Sequence, residues 1–452
     1  MSRVQSPVAR GTWLDPTRIT VALTALVILT VFALQGPHRP LGIAALAVGT
    51  GMLLLLLPGS TFLALIPLCG IALLTPQAIP GWNLFDFMIL PLALIAFLKL
   101  LAHPNRAAWG IHKPGLLTIA FLLAPLLAVP FAVVSLQPFL GLYKNCLLLA
   151  FLFLALRRIV RPEQSLTLLW IFPLTGTVAA CQLLWKTRGL GALLYSRMNF
   201  RNFYSGLAWG QSDYISAVLE FCLCGTIVLI LLERRALVRI LLAGLALVMA
   251  QGFLILFSRA GALSLVLFGG LLALGWKRER ALLAGGIAFV LALGGLATPG
   301  GQVLSQRFVD PSEYGSWYFR LVTWETGIQR FLAHPWTGFG LGQGRYISDV
   351  IGGESANCSI LDVLGEQGIV GGIVFILIVV SAVRLGRRAP LPGVAGKGPV
   401  RMALAGTVGA VVLHSLVEPT ITGHVLSVLF VYFLAFLTLQ DDPSQATVPA
   451  EG

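Results

Sequence analysis

The chain has 452 residues, of which 57% are hydrophobic and 11% charged, with a formal net charge of +13. A soluble domain carries about 25% charged residues. This composition therefore excludes a soluble enzyme and points to an all-α polytopic membrane protein, whose spans need about 17–25 apolar residues each. In chain order, the apolar runs predict spans at 19–36, 41–57, 60–75, 84–101, 115–135, 139–156, 165–185, 212–232, 237–257, 260–276, 281–298, 369–385, 402–417 and 421–439. That is about 14 helices, with a range of 12–14: Pro58-Gly59 alone parts 41–57 from 60–75, which makes a re-entrant hairpin the alternative there. The run 19–36 reads as a first span and not as a cleavable signal.

The implied organisation is a transmembrane bundle over 1–298 with a short outer loop at 186–211, a large loop at 299–368, transmembrane helices over 369–440 and a tail at 441–452. With both termini in the cytoplasm, alternating spans place 20 of the 31 basic residues in inner connections, as the positive-inside rule requires. The basic excess thus sets topology, and no nucleic-acid partner is expected. Topology does not explain a second group of cations. Lys186, Arg188, Arg197 and Arg201 fill loop 186–211, Arg259 stands at an outer span junction, and Arg307, Arg320, Arg330 and Arg345 lie in the large loop. Such a face attracts an anion.

The large loop is too rich in Trp, Tyr, Phe and Ile to be disordered, so it is expected to fold, partly as helix, into a cap over a membrane-embedded site. The six cysteines form no framework, and GxxxxGK[ST], HExxH and paired CxxC patterns are lacking, so no metal and no cofactor is expected.

Several residues have the chemistry such a site needs. Arg259, in Ser258-Arg259-Ala260-Gly261, offers a planar fork for phosphate, the alternative being an interfacial anchor. Arg197 and Arg201 are four apart, with Tyr195, Phe200, Phe203 and Tyr204 around them, which suits a sugar phosphate or an amphipathic helix in headgroups. Asp213 and Glu220 open the next span as functional carboxylates or as arginine partners. Arg320, Trp324 and Gly327 share one face of a predicted helix 317–332. His334 begins a Pro-Trp-Thr-Gly-Phe-Gly-Leu-Gly turn, as a base or as a brace. Over 357–368 a helix returns to the membrane with Cys358, Asp362 and Glu366 on one face, the carboxylates serving as base or pairing with arginines. His414, Glu418 and His424 lie at the outer ends of the last two spans, lining the same site or pairing locally.

The Ser-Arg-Ala-Gly junction, Arg320 with Trp324, the run His334 to Gly342, and Leu361 to Gly368 ending Glu-x-Gly resemble the O-antigen ligase and Wzy-type polysaccharide polymerase superfamily. The resemblance implies a GT-C-like fold and a metal-independent, inverting membrane glycosyltransferase. It implies donor and acceptor oligosaccharides on undecaprenyl diphosphate, a bacterial inner-membrane location with a periplasmic site, and membrane lipids, a chain-length co-polymerase and export machinery as partners. The implied catalytic set is Arg259, Arg320, His334, Asn357, Asp362 and Glu366; the implied substrate-binding set is Arg197, Arg201, Tyr204, Asp213, Trp324 and Arg345. Where the ligase pattern has His-Asn nine residues before the Glu, this chain has Asn357-Cys358. That departure favours polymerisation of lipid-linked repeat units into an exopolysaccharide (the xanthan type is plausible company) or an O-antigen. A ligase onto a lipid core and a lipid-linked oligosaccharide flippase are the alternatives.

Overall fold

The computed structural model describes residues 136–160, 162–188, 207, 210–256, 258–276, 316–341, 358–389, 397–418 and 423–440, with isolated residues between 74 and 126. The expected spans at 19–36, 41–57, 84–101 and 281–298, and most of 60–75 and 115–135, lie outside the described residues, as do Arg197, Arg201, Tyr204, Arg345 and Asn357.

The described elements are α1 (Leu136–Ile159), a 3-10 helix (Pro162–Trp170) running into α2 (Ile171–Thr187), α3 (Ser212–Leu232), α4 (Ala236–Ile255), α5 (Arg259–Leu274), α6 (Ser316–Ala333), α7 (Ser359–Arg388), α8 (Lys397–Ser415) and α9 (His424–Gln440). Among the described residues there is no strand, only one isolated bridge between Leu207 and Gly210. Four helical stretches, Gln164–Thr187, Ser212–Leu232, Ala236–Ile255 and Ser359–Arg388, are long and apolar enough to cross a membrane. The described residues are thus all-α, with helices of the length and composition of a membrane protein.

The helices sort into inner and outer ones. In α3, 78% of the apolar window is buried, against 22% in α4. Nearly every side chain of α9 is buried as well. By contrast Leu237, Ile240 and Leu247 of α4, Val266 and Leu274 of α5, and Ile373 and Ile376 of α7 are exposed. An apolar side chain facing outward suits a helix with lipid as its solvent. The interior is keyed by Phe172 of α2, Phe221 of α3 and Phe433 of α9, whose rings meet edge-on at 5.1, 6.0 and 5.9 Å between centroids.

The chain runs up and down, so alternate helix ends collect at opposite ends of the bundle. At the basic end, Arg157 of α1 reaches the carbonyl of Thr438 in α9, Arg401 of α8 donates to the carbonyl of Ala389 after α7, and the backbone of Gly275 after α5 abuts Pro399. At the other end α3, α5, α7 and α9 begin and α8 stops. It is the end that the charge pattern places outside.

α7 joins the helix expected over 357–368 to the span expected from 369: Gly368 (φ 65, ψ −165) breaks it into a segment before the kink and a membrane-length segment after it. One element departs from the span expectation. The expected span 165–185 opens inside a 3-10 helix, Pro162–Trp170, and becomes α-helical only from Ile171.

Candidate functional site

Two arrangements at this end of the bundle bring the singled-out residues together. The first is a backbone clasp. Helix α6 stops at Ala333, before Pro335, and the chain turns through His334 to Gly340. The amide of Phe339 donates to the carbonyl of Gly365 at 2.9 Å and that of Gly340 to the carbonyl of Glu366 at 3.1 Å. In return, the amide of Ile369 donates to the carbonyl of Pro335 at 2.7 Å. The two strips approach so closely that a Cβ on Gly338 would lie 2.3 Å from the carbonyl carbon of Glu366, and one on Gly368 would lie 2.3 Å from the carbonyl oxygen of Trp336. Both glycines also have positive φ, 69° and 65°. Each is required twice over, by dihedral and by space. The glycine turn and the Glu-x-Gly ending are therefore two halves of one joint, and His334 packs its ring edge-on against Phe339 at 4.3 Å. This geometry matches the bracing role for His334.

Above the clasp, α6 lies along the start of α7. Thr323, Gly327 and Arg330 form the buried stripe of α6, with Arg320 and Trp324 half-buried beside it, whereas Leu321, Ile328 and Leu332 are exposed. Burial pushes the Arg330 guanidinium below its ordinary value, and the carboxylates of Asp362 and Glu366 push it back up. Those two carboxylates thus face Arg330, the arginine-pairing alternative of the sequence reading. Among the described residues Nε and Nη2 of Arg330 have no hydrogen-bond partner.

The second arrangement is a row of charged side chains. Glu220 lies in the third turn of α3 and His414 in the last turn of α8, and each side chain is 1% exposed. His414 Nδ1 and Glu220 Oε2 are 2.5 Å apart. Glu220 also borders the start of α5: a Cβ on Gly261 would lie 3.4 Å from Glu220 Oε2 and 2.6 Å from the ring of Phe253. This explains the small residue at the end of Ser258-Arg259-Ala260-Gly261. Ser258 caps α5 by accepting the Gly261 amide at 3.1 Å. The helix thereby turns its amide-rich, electropositive end toward Glu220, with Arg259 as its first, half-buried residue.

One turn beyond His414, the amide of Glu418 donates to the His414 carbonyl at 3.1 Å. Arg320 of α6 donates to Glu418 Oε1. Burial first, and then the carboxylate of Asp213, push the Glu418 carboxyl up to about 7; Arg320 and His414 pull the other way. The carbonyl of Glu418 accepts from Ser359 Oγ at the start of α7, and Tyr214 Oη accepts the Leu426 amide at 3.0 Å. Five helices, α3, α6, α7, α8 and α9, are thereby tied at one level.

Of the expected site residues, Arg320 and Asp213 join this row, and Arg259 stands at the helix start beside Glu220. Asp362, Glu366 and His334 belong to the clasp and its Arg330 neighbour. Glu220, His414 and Glu418 fell outside the expected catalytic set. Their signal was ionisable residues inside or at the ends of apolar runs. Among the described residues no cluster of three His, Cys, Asp or Glu side chains is disposed to hold a metal. No family model matches the chain, and no curated relative matches it.

Proposed function

We propose that the protein polymerises undecaprenyl-diphosphate-linked oligosaccharide repeat units into an exopolysaccharide or O-antigen at the outer face of the bacterial inner membrane. The observation that carries the reading is the convergence of Arg259, Arg320, Glu418 and the glycine clasp at one end of the helix bundle. In this reading Arg259, at an electropositive helix start, holds the diphosphate, together with Arg197, Arg201 and Arg345 from the loops. Arg320 aims Glu418, and Glu418 is the base. A carboxyl held near neutral suits proton transfer at physiological pH.

The step is a direct displacement. The acceptor hydroxyl oxygen attacks the anomeric carbon from the face opposite the diphosphate. The carbon–oxygen bond to the diphosphate breaks and leaves its electron pair on that oxygen, while the hydroxyl proton passes to the Glu418 carboxylate. The configuration inverts. The diphosphate carries the energy, so the reaction needs no nucleotide.

The test is the purified protein in lipid with one defined undecaprenyl-diphosphate oligosaccharide and no nucleotide. A ladder of repeat units is expected. Glycan appearing only after a different lipid acceptor is added would replace the polymerase by a ligase, and substrate that merely changes leaflet would replace the enzyme by a transporter. Arg259→Ala should abolish the ladder in a protein that still inserts, and Arg259→Lys should keep part of it by retaining charge without the fork.

A further inference from the structure

The buried Glu220–His414 pair touches none of the reacting atoms in this scheme, yet it sits directly behind Glu418. We propose that Glu220 and His414 are positioning residues for Glu418: the pair keeps a positive ring behind that carboxyl, offsets part of the push toward its acid form, and so sets the lowest pH at which sugar transfer runs. The inference rests on the assignment of Glu418 as base.

The geometry carries the argument. Two ionisable side chains at 1% exposure would be a burden to an apolar bundle unless each neutralised the other. Glu220 holds Nδ1 at 2.5 Å, so the ring cannot rotate away. Nε2 has no hydrogen-bond partner among the described residues, nor does Glu220 Oε1. The ring is therefore tied on one side only, as a carboxylate-oriented histidine is. It is also rigidly spaced from Glu418, by one helical turn and a backbone hydrogen bond of 3.1 Å. The charged groups facing Glu418 are Asp213 from α3, Arg320 from α6 and His414 from α8. Asp213 and burial favour the protonated carboxyl, and Arg320 and His414 favour the ionised one. Removing the ring tips that balance toward the acid form. Removing Glu220 does so less, because the ring remains but loses the carboxylate that keeps its charge.

The experiment has a readout independent of turnover. The carboxyl absorption of Glu418, identified by its loss in Glu418→Gln, is titrated by infrared difference spectroscopy on the purified full chain in lipid. His414→Gln should move its midpoint up by about one pH unit, and Glu220→Gln should move it in the same direction by less. In the ladder assay the acid limb of the rate should move by the same amounts. An unmoved midpoint in a His414→Gln protein that still inserts would overturn the inference, and Glu220→Gln provides the same reading where the first variant does not insert. A midpoint that moves while the acid limb stays fixed would instead remove Glu418 as base. A midpoint that moves in a protein making no ladder would leave the pairing in place and remove the polymerase.

Discussion

The clasp and the charged row stand at the same end of the bundle but are built from different materials. The clasp is backbone on backbone: amides and carbonyls of 335–340 and 365–369 pair across a gap that only glycine permits. The row is side chain on side chain, drawn from α3, α6 and α8, with partners 194 and 98 residues apart. A glycine joint is all-or-none, since there is no room to yield. A charged row is graded, since removing one member retunes the rest.

The contrast can be sharpened from its chemical side first. Glu418→Gln keeps size and a partial bond to Arg320 but removes the base. The expected loss in ladder rate is about 10²–10⁴-fold, with membrane insertion retained. A near-normal rate would demote the row to structure. On the clasp side, Gly368→Ala forces a side chain into a backbone carbonyl at a dihedral pair that only glycine favours. A destabilisation of about 3 kcal/mol or more is expected, read as a lower melting temperature in detergent. If Gly368→Ala melts like the parent, the joint is looser than its distances indicate.

A smaller effect separates the two regions by pH. Folding raises the Glu418 carboxyl from 4.5 to about 7. The folded protein thus holds that proton more tightly than the unfolded chain does. The stabilisation this provides is whole below pH 4.5 and is lost as pH rises through 7. Glu418→Gln should flatten the melting temperature across that window, whereas Gly338→Ala should lower it by the same amount at every pH. The smallest change is expected at Glu325, exposed on α6: Glu325→Ala should alter stability by less than about 0.5 kcal/mol. A larger effect would mean that this face is covered in the working protein.

Much of the architecture was readable residue by residue. Ser212 to Leu232 is helical over the whole of the expected run, and α4, α5, α8 and α9 begin or end within a few residues of expectation. Hydrophobic length and basic clusters are local properties, so a sequence displays them directly. The two parts of α7 were readable too, as a helix ending at Gly368 and a span from 369; that they meet in one kinked element was not, because the kink is held by the backbone of 335–340 from another part of the chain.

The candidate site divides along the same line. The sequence by itself determined that arginines gather near span ends and in the connections between them, that His334 to Gly342 must turn, and that carboxylates recur one turn apart after Cys358. Which charge meets which depended on helix neighbours. Asp362 and Glu366 face Arg330, leaving Arg320 to Glu418, and Glu220 finds His414 because α8 packs against α3. Spacing along one helix is fixed by covalent geometry, so a sequence can state it. Contact between helices is fixed by the packing of their apolar faces, and that decided the partners of Glu220, His414, Glu418 and Arg330.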